Sequence, residues 1–168
     1  MGFTPLEGLV MATRSGSVDP GLLLWLLERE AIDVREMAEA LEHDAGLLAL
    51  AGTPDMREVL GRAATDDRAR LALDVYVHRL RAGIAGMTAA LGGLDVLVFT
   101  GGVGERAPAV RGAAADGLRF LGVAIDAAAN DGADEDADIA ATGAPVRTLV
   151  VRAREDLEIA GQVRALLG

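Results

Sequence analysis

Leu73, Val77, Leu80, Ile84, Met87 and Leu91 recur at alternating steps of four and three residues, the spacing that lines one face of an α-helix. This is the strongest periodic pattern in the chain. It predicts a helix from about Arg68 to Leu91, ended by Gly92-Gly93. Leu71 and Val75 widen the stripe, so burial on more than one side of this helix is expected. Upstream, residues 1–19 are irregular, and Asp19-Pro20 then pairs an N-cap with a first-turn proline ahead of a short apolar helix, Leu22 to Glu28. Asp33 and Glu36 have the spacing of a capping box, which opens a second helix ending near Asp44-Ala45-Gly46. Asp55-Met56-Arg57-Glu58 reads as an acidic cap on another short helix.

Downstream, a strand over Asp95–Thr100 gives way to a glycine-rich turn, and a helix runs from Pro108 to about Phe120. Gly122 to Ile125 is a candidate short strand, and residues 127–144, built of Ala, Asp, Asn and Gly, read as a mobile surface loop. Val146–Val151 forms a final strand and Glu155–Leu167 a final helix. The fold class is α/β with more helix than strand. Two strands flanked by so many helices do not make a self-sufficient sheet, so part of the sheet is expected to lie outside this sequence.

The segment Val96-Leu-Val-Phe-Thr-Gly-Gly-Val-Gly-Glu105 places glycines between a buried strand and a helix start. That geometry presents backbone N–H groups to an anion, because glycine lets the main chain come close. Gly102-x-Gly104-x-x-Ala107, with Asp126 some way on, also fits a dinucleotide-binding fingerprint. A purely structural turn is the third reading, and the motif alone does not choose among them.

Composition narrows the field. Hydrophobic residues make up 51% of the chain but aromatics only 3%, so the core must be built from Leu, Val and Ala. A net charge of −10 argues against nucleic acid or an anionic membrane as partner. The absence of Cys excludes disulfides, thiolate metal sites and Cys nucleophiles, and the two histidines, His43 and His78, form no ligand pair. The longest apolar run, Gly21–Leu27, is far shorter than a membrane span, and no signal-peptide pattern opens the sequence. A soluble, cytosolic protein is expected.

Several motifs in order carry a resemblance. The segment Gly2-Phe-Thr-Pro-Leu-Glu-Gly-Leu-Val-Met-Ala-Thr-Arg-Ser-Gly-Ser-Val-Asp-Pro20 resembles the acetate kinase signature around its substrate-side arginine. Asp55-Met56-Arg57 resembles that family's nucleotide-binding Asp-Met-Arg, and Phe99–Glu105 its adenosine motif. The match continues from Val110-Arg111 through Gly117–Asp126 and closes on Glu155-Asp156-Leu-Glu-Ile-Ala160.

The resemblance implies a partial ribonuclease-H-like lobe of the actin and sugar-kinase-like superfamily, with the whole chain, 1–168, forming most of a C-terminal lobe. The N-terminal lobe, with its acidic catalytic residue, phosphate-contacting loop and catalytic histidines, would then lie elsewhere, and a separate chain could supply it. By resemblance, Arg14 is catalytic and substrate-binding. A planar cation is what carboxylate-to-phosphate transfer needs to neutralise the moving phosphoryl group. Asp55, Met56, Arg57, Gly102, Val103, Gly104, Glu105 and Arg106 would bind nucleotide. Glu155, with Asp156 able to share the task, would contact Mg²⁺, which takes few protein oxygens. ATP or ADP, a short-chain carboxylate or acyl phosphate, and a second copy of the chain are the implied partners.

The chain departs from the family pattern at Arg106, commonly Asn; at Ala12, commonly Gly; and at Ser17, commonly Asp. The approach Ala51-Gly-Thr-Pro-Asp55 is one residue short, and Arg152-Ala153-Arg154 replaces the usual Pro-Thr-Asn.

Overall fold

The structure, a computed structural model, describes residues 2–29 and 31–168. The chain divides into two compact units, Met1–Gly93 and Leu94–Gly168.

The first unit is helical. Its elements are α1 (Pro20–Glu28), α2 (Val34–Glu42), α3 (Gly46–Ala51), α4 (Met56–Arg62) and α5 (Asp67–Leu91). The caps fall where the sequence places them. Asp19 accepts from Gly21 N, Asp33 and Glu36 close a full capping box, and Asp55 accepts from Arg57 N. Asp66 opens α5 by accepting from Arg68 N and Ala69 N, and Gly92 ends it in the left-handed conformation.

Leu47, Ala51, Met56, Val59, Ala69, Ala72 and Val77 form the buried apolar set where α3, α4 and α5 pack. The stripe on α5 is therefore buried only in part. Val77 is buried, but Leu71, Met87 and Leu91 are 54%, 64% and 76% exposed, and small alanines rather than leucines seat the helix. Burial on more than one side does not hold within the described residues. The second helix also ends sooner than its pattern implies, at Glu42, and a separate helix, α3, follows. Its start is set by Met11 and Ala12, whose carbonyls accept from Leu47 N (2.9 Å) and Leu48 N (3.0 Å).

The second unit holds a three-stranded sheet in the order β1-β3-β2, from β1 (Val96–Phe99), β2 (Ala137–Asp138) and β3 (Arg147–Val150). β1 and β3 are parallel, with Val96 opposite Arg147 and Phe99 opposite Val150, whereas β2 runs antiparallel to β3. One face of β1, Leu97 and Phe99, is buried with Val110, Leu118, Val123, Ile139, Val146 and Val150. The opposite face, Val96 and Val98, is exposed.

Four expectations are corrected here. Residues 101–106 are not an open turn but a helix, α6 (Gly101–Arg106), that leaves β1 through an extended Thr100 and a left-handed Gly101 at φ +74°. The next helix, α7 (Pro108–Asp116), ends short of Phe120 because a 3₁₀ turn takes over at Arg119–Leu121. The 127–144 segment is no structureless loop: it contains α8 (Ala127–Asp131), capped by Asp126, and β2, whose ladder with β3 recruits it into the sheet. The Gly122–Ile125 strand reduces to isolated bridges, Val123 with Val146 and Ile125 with Ala140. The chain closes with α9 (Glu155–Leu167).

Candidate functional site

In the first unit, Arg14 stands in a loop held from both sides by backbone bonds. Its carbonyl accepts from Met11 N at 3.1 Å, Ser15 N donates to Leu41 O, and Thr13 O accepts from Ala45 N. The Thr13 hydroxyl adds a bond to Glu42 O at 3.0 Å. The loop thus rests on the end of α2 and the start of α3. Gly46 makes that seat possible, since a Cβ there would stand 2.3 Å from Met11 O and 2.8 Å from Arg14 O. The Arg14 Nε is buried and has no hydrogen-bond partner among the described residues. A buried N–H without an acceptor is costly, so an arginine held this way is poised for an anionic ligand.

Asp55 and Arg57 are engaged with each other. Arg57 Nε donates to Asp55 Oδ1 at 3.0 Å, and Arg57 Nη2 lies 2.5 Å from Asp55 Oδ2. Hydrogen bonds from the Arg57 side chain and then its backbone N–H hold the Asp55 carboxyl below the usual carboxylate range, and the pairing raises Arg57. Met56 is 6% exposed and belongs to the core of this unit.

In the second unit, the carboxyl ends of the adjacent parallel strands β1 and β3 feed the segments that line a cleft. One is α6 after β1; the other is Arg152–Asp156 after β3. In open α/β sheets, ligands bind outside the carboxyl ends of the strands. The cleft, about 630 Å³, is lined by Gly101, Gly102, Glu105, Arg106, Arg154 and Glu155, among others. A neighbouring cleft of about 650 Å³ shares Glu105, Arg106 and Arg152, and reaches Arg111, Asp131 and Glu135.

Glu105 has a structural task that sequence reasoning missed. Its Oε1 accepts from Gly101 N and from Ala153 N, each at 2.9 Å, and so staples α6 to the segment after β3. Arg152 and Arg154 are anchored by an acidic loop, residues 134–136, between α8 and β2: Arg152 N and Arg154 Nη2 both donate to Asp136, at 3.0 and 2.7 Å. Bonds from the Arg152 backbone and then the Arg154 guanidinium depress the Asp136 carboxyl. Arg154 is the only non-glycine residue with positive φ among those described, at 34°.

The glycines divide by role. Gly104 packs on the strand, since a Cβ there would meet the Phe99 backbone carbon at 3.3 Å, while a Cβ on Gly102 would meet nothing within 4 Å. Val103 is half-buried, and Arg106 is exposed on the lip of both clefts. Asp126, the acid of the dinucleotide reading, serves instead as the cap of α8 by accepting from Ala129 N at 2.8 Å.

Glu155 and Asp156 open α9 with exposed side chains that make no hydrogen bond or ion pair among the described residues. No group of three potential ligands gathers to form a metal centre among those residues. Both carboxylates stand exposed on the rim of the cleft, with Asp156 acting electrostatically on the Arg154 guanidinium. Among the described residues, no helix is long and apolar enough to cross a membrane.

The fold and the cleft define a partial α/β lobe with its candidate cleft at the carboxyl ends of the parallel pair β1 and β3 in a small mixed sheet. The chain belongs to the acetokinase family, whose sequence profile matches residues 1–161. It is 50% identical over 162 residues to the acetate kinase of Gloeobacter violaceus, covering 95% of this chain and 40% of that protein. The acetate kinase of Leifsonia xyli is 50% identical over 164 residues, with 96% and 41% covered. The crystal structure of Porphyromonas gingivalis acetate kinase superposes with a TM-score of 0.91 at 36% identity, covering 100% of this chain and 43% of that one. A propionate kinase from Francisella tularensis gives 0.87 at 37% identity, with 95% and 41% covered. The chain thus spans about 40% of the length of these relatives, and the match is to a C-terminal portion of them.

Proposed function

We propose that this chain is the C-terminal lobe of an acetate-kinase-type phosphotransferase, which converts ATP and a short-chain carboxylate to ADP and an acyl phosphate. The observation that carries the reading is the family match over residues 1–161, joined to a site-bearing α/β lobe at a TM-score of 0.91. In the reaction a carboxylate oxygen attacks the γ-phosphorus as the bond to the ADP oxygen breaks, so negative charge must be neutralised in line.

Arg14, with its buried and unpartnered Nε, is the group for that task. Asp55, Met56 and Arg57, and Gly102, Val103, Gly104, Glu105 and Arg106, are assigned to nucleotide binding on the family match. Glu105 and Met56 act there by holding backbone and core rather than by reaching out. Glu155, with Asp156 beside it, would hold Mg²⁺, which when bound offsets phosphate charge.

Because the chain spans about 40% of its relatives' length, a second reading is a nucleotide-binding or self-associating module without catalysis of its own. The two are separated by assaying acyl phosphate formation from ATP, Mg²⁺ and acetate, with and without a lobe supplied from a relative. The chain alone is expected to show none, since positioning between lobes does most of the work in phosphoryl transfer. Activity that returns with the added lobe and is lost in Arg14→Ala supports the enzyme reading. ADP binding with no activity in any combination supports the module. Calorimetry showing NAD bound more tightly than ADP would overturn the nucleotide assignment.

A further inference from the structure

Arg111, in α7, is only 1% exposed, and no ion pair among the described residues includes it. A buried guanidinium is tolerated only when its donors are met, and here the acceptors come from two other helices. Nη1 donates to Gly104 O at 2.9 Å and to Glu105 O at 2.8 Å, both in the last turn of α6. Nη2 donates to Asn130 O at 2.6 Å, and Nε to Asn130 Oδ1 at 2.8 Å, in the last turn of α8. The Asn130 amide then donates to Pro108 O at 3.0 Å, at the start of α7.

The carbonyls that Arg111 gathers are those that a helix end leaves without intrahelical partners, and a cation suits that end of the helix dipole. The helices involved are short: α6 has 6 residues and α8 has 5, too few to persist unaided. The opposite end of α6 is held separately, by the Glu105 bonds to Gly101 N and Ala153 N.

We infer that Arg111 and Asn130 are positioning residues for the cleft-lining helix α6. They fix where Gly102, Glu105 and Arg106 stand. The effect on ligand binding rests on the nucleotide reading above, whereas the effect on α6 itself rests on this geometry alone. Arginine is required because its planar fork reaches carbonyls on two helices at once. Lysine offers the charge from a single point and cannot span them.

The test uses the full chain with Arg111→Lys, Asn130→Ala and Asn130→Asp. In the first two, hydrogen exchange at the amides of Glu105–Ala107 should rise about tenfold or more, while the buried strand amides of β1 and β3 stay close to wild type. Asn130→Ala keeps the backbone acceptor and serves if Arg111→Lys does not fold. Asn130→Asp keeps the Oδ acceptor for Arg111 Nε but gives up the donor to Pro108 O, so its exchange should lie between wild type and Asn130→Ala, an ordering that general destabilisation would not show.

ADP affinity should fall about tenfold along with the faster exchange. ADP is expected to bind the lone chain weakly, if at all, and if wild type binds none the exchange data alone judge the clamp. Exchange at 105–107 that is unchanged in both loosening variants, or that rises equally in β1 and β3, overturns the inference.

Discussion

A Cβ built on Gly46 would stand 2.3 Å from the Met11 carbonyl oxygen and 2.8 Å from that of Arg14, on a backbone whose φ is +63°. Both the conformation and the close approach therefore demand glycine. Gly46→Ala should cost ~2 kcal/mol or more, because a left-handed side-chain residue and a backbone clash add together. Urea unfolding will measure this, and a cost within error of zero would show that the Arg14 loop does not sit on α3 as described. Gly104 and Gly102 make a sharper contrast within one helix. Gly104→Ala meets the Phe99 backbone at 3.3 Å and should destabilise by ~1 kcal/mol, whereas Gly102→Ala faces open space and should be neutral or slightly stabilising. Equal costs at the two positions would mean that α6 does not pack on β1 through Gly104.

At the scale of elements, the segment after β3 depends on Asp136, which accepts from Arg152 N at 3.0 Å and from Arg154 Nη2 at 2.7 Å. These bonds, the Arg152 backbone first, lower its carboxyl below the ordinary 3.8. A proton therefore binds the unfolded chain more readily than the folded one. The stabilisation is fully present above 3.8 and is lost as pH falls through the lower folded value. The Arg152 amide resonance is expected to titrate below pH 3.8, and Asp136→Asn should remove that step. A midpoint at or above 3.8 would mean that the acidic loop does not hold the cleft-lining segment. Helix α8 and β2 escape a pattern-based reading because both are short and are held by partners elsewhere in the chain: Arg111 binds Asn130 of α8, and Ala137 of β2 pairs with Val150 of β3.

For the whole molecule, apolar surface is the conspicuous quantity. Helix α1 buries no residue, with Leu22, Leu24 and Trp25 at 50%, 59% and 49% exposure. Helix α9 buries none either, with Leu157, Ile159, Val163, Leu166 and Leu167 all exposed. Surfaces of this kind on a 17.3 kDa chain favour association, and a net charge of −10 opposes only non-specific aggregation. Sedimentation equilibrium at tens of micromolar should give a dimer or larger species. A clean monomer of 17.3 kDa would show that these faces are tolerated in water.

What the sequence by itself determined was local or cumulative. The caps at Asp19, Asp33 and Asp55 follow from bonds between residues two or three apart, so their spacing is visible in the chain. The length of α5 follows from its repeat, and β1 and β3 from their apolar runs. The family was legible because several motifs occur in order along residues 1–161. Only the tertiary structure decided the rest. It seated α5 on alanines instead of the leucine stripe, turned the glycine segment into a helix, and drew residues 127–144 into helix and sheet. It also gave Glu105 a bond to Ala153, 48 residues away, and Arg111 its bonds to Asn130, 19 away. Hydrogen bonds over such separations impose no period and no spacing, so nothing in the order of residues announces them until the chain has folded.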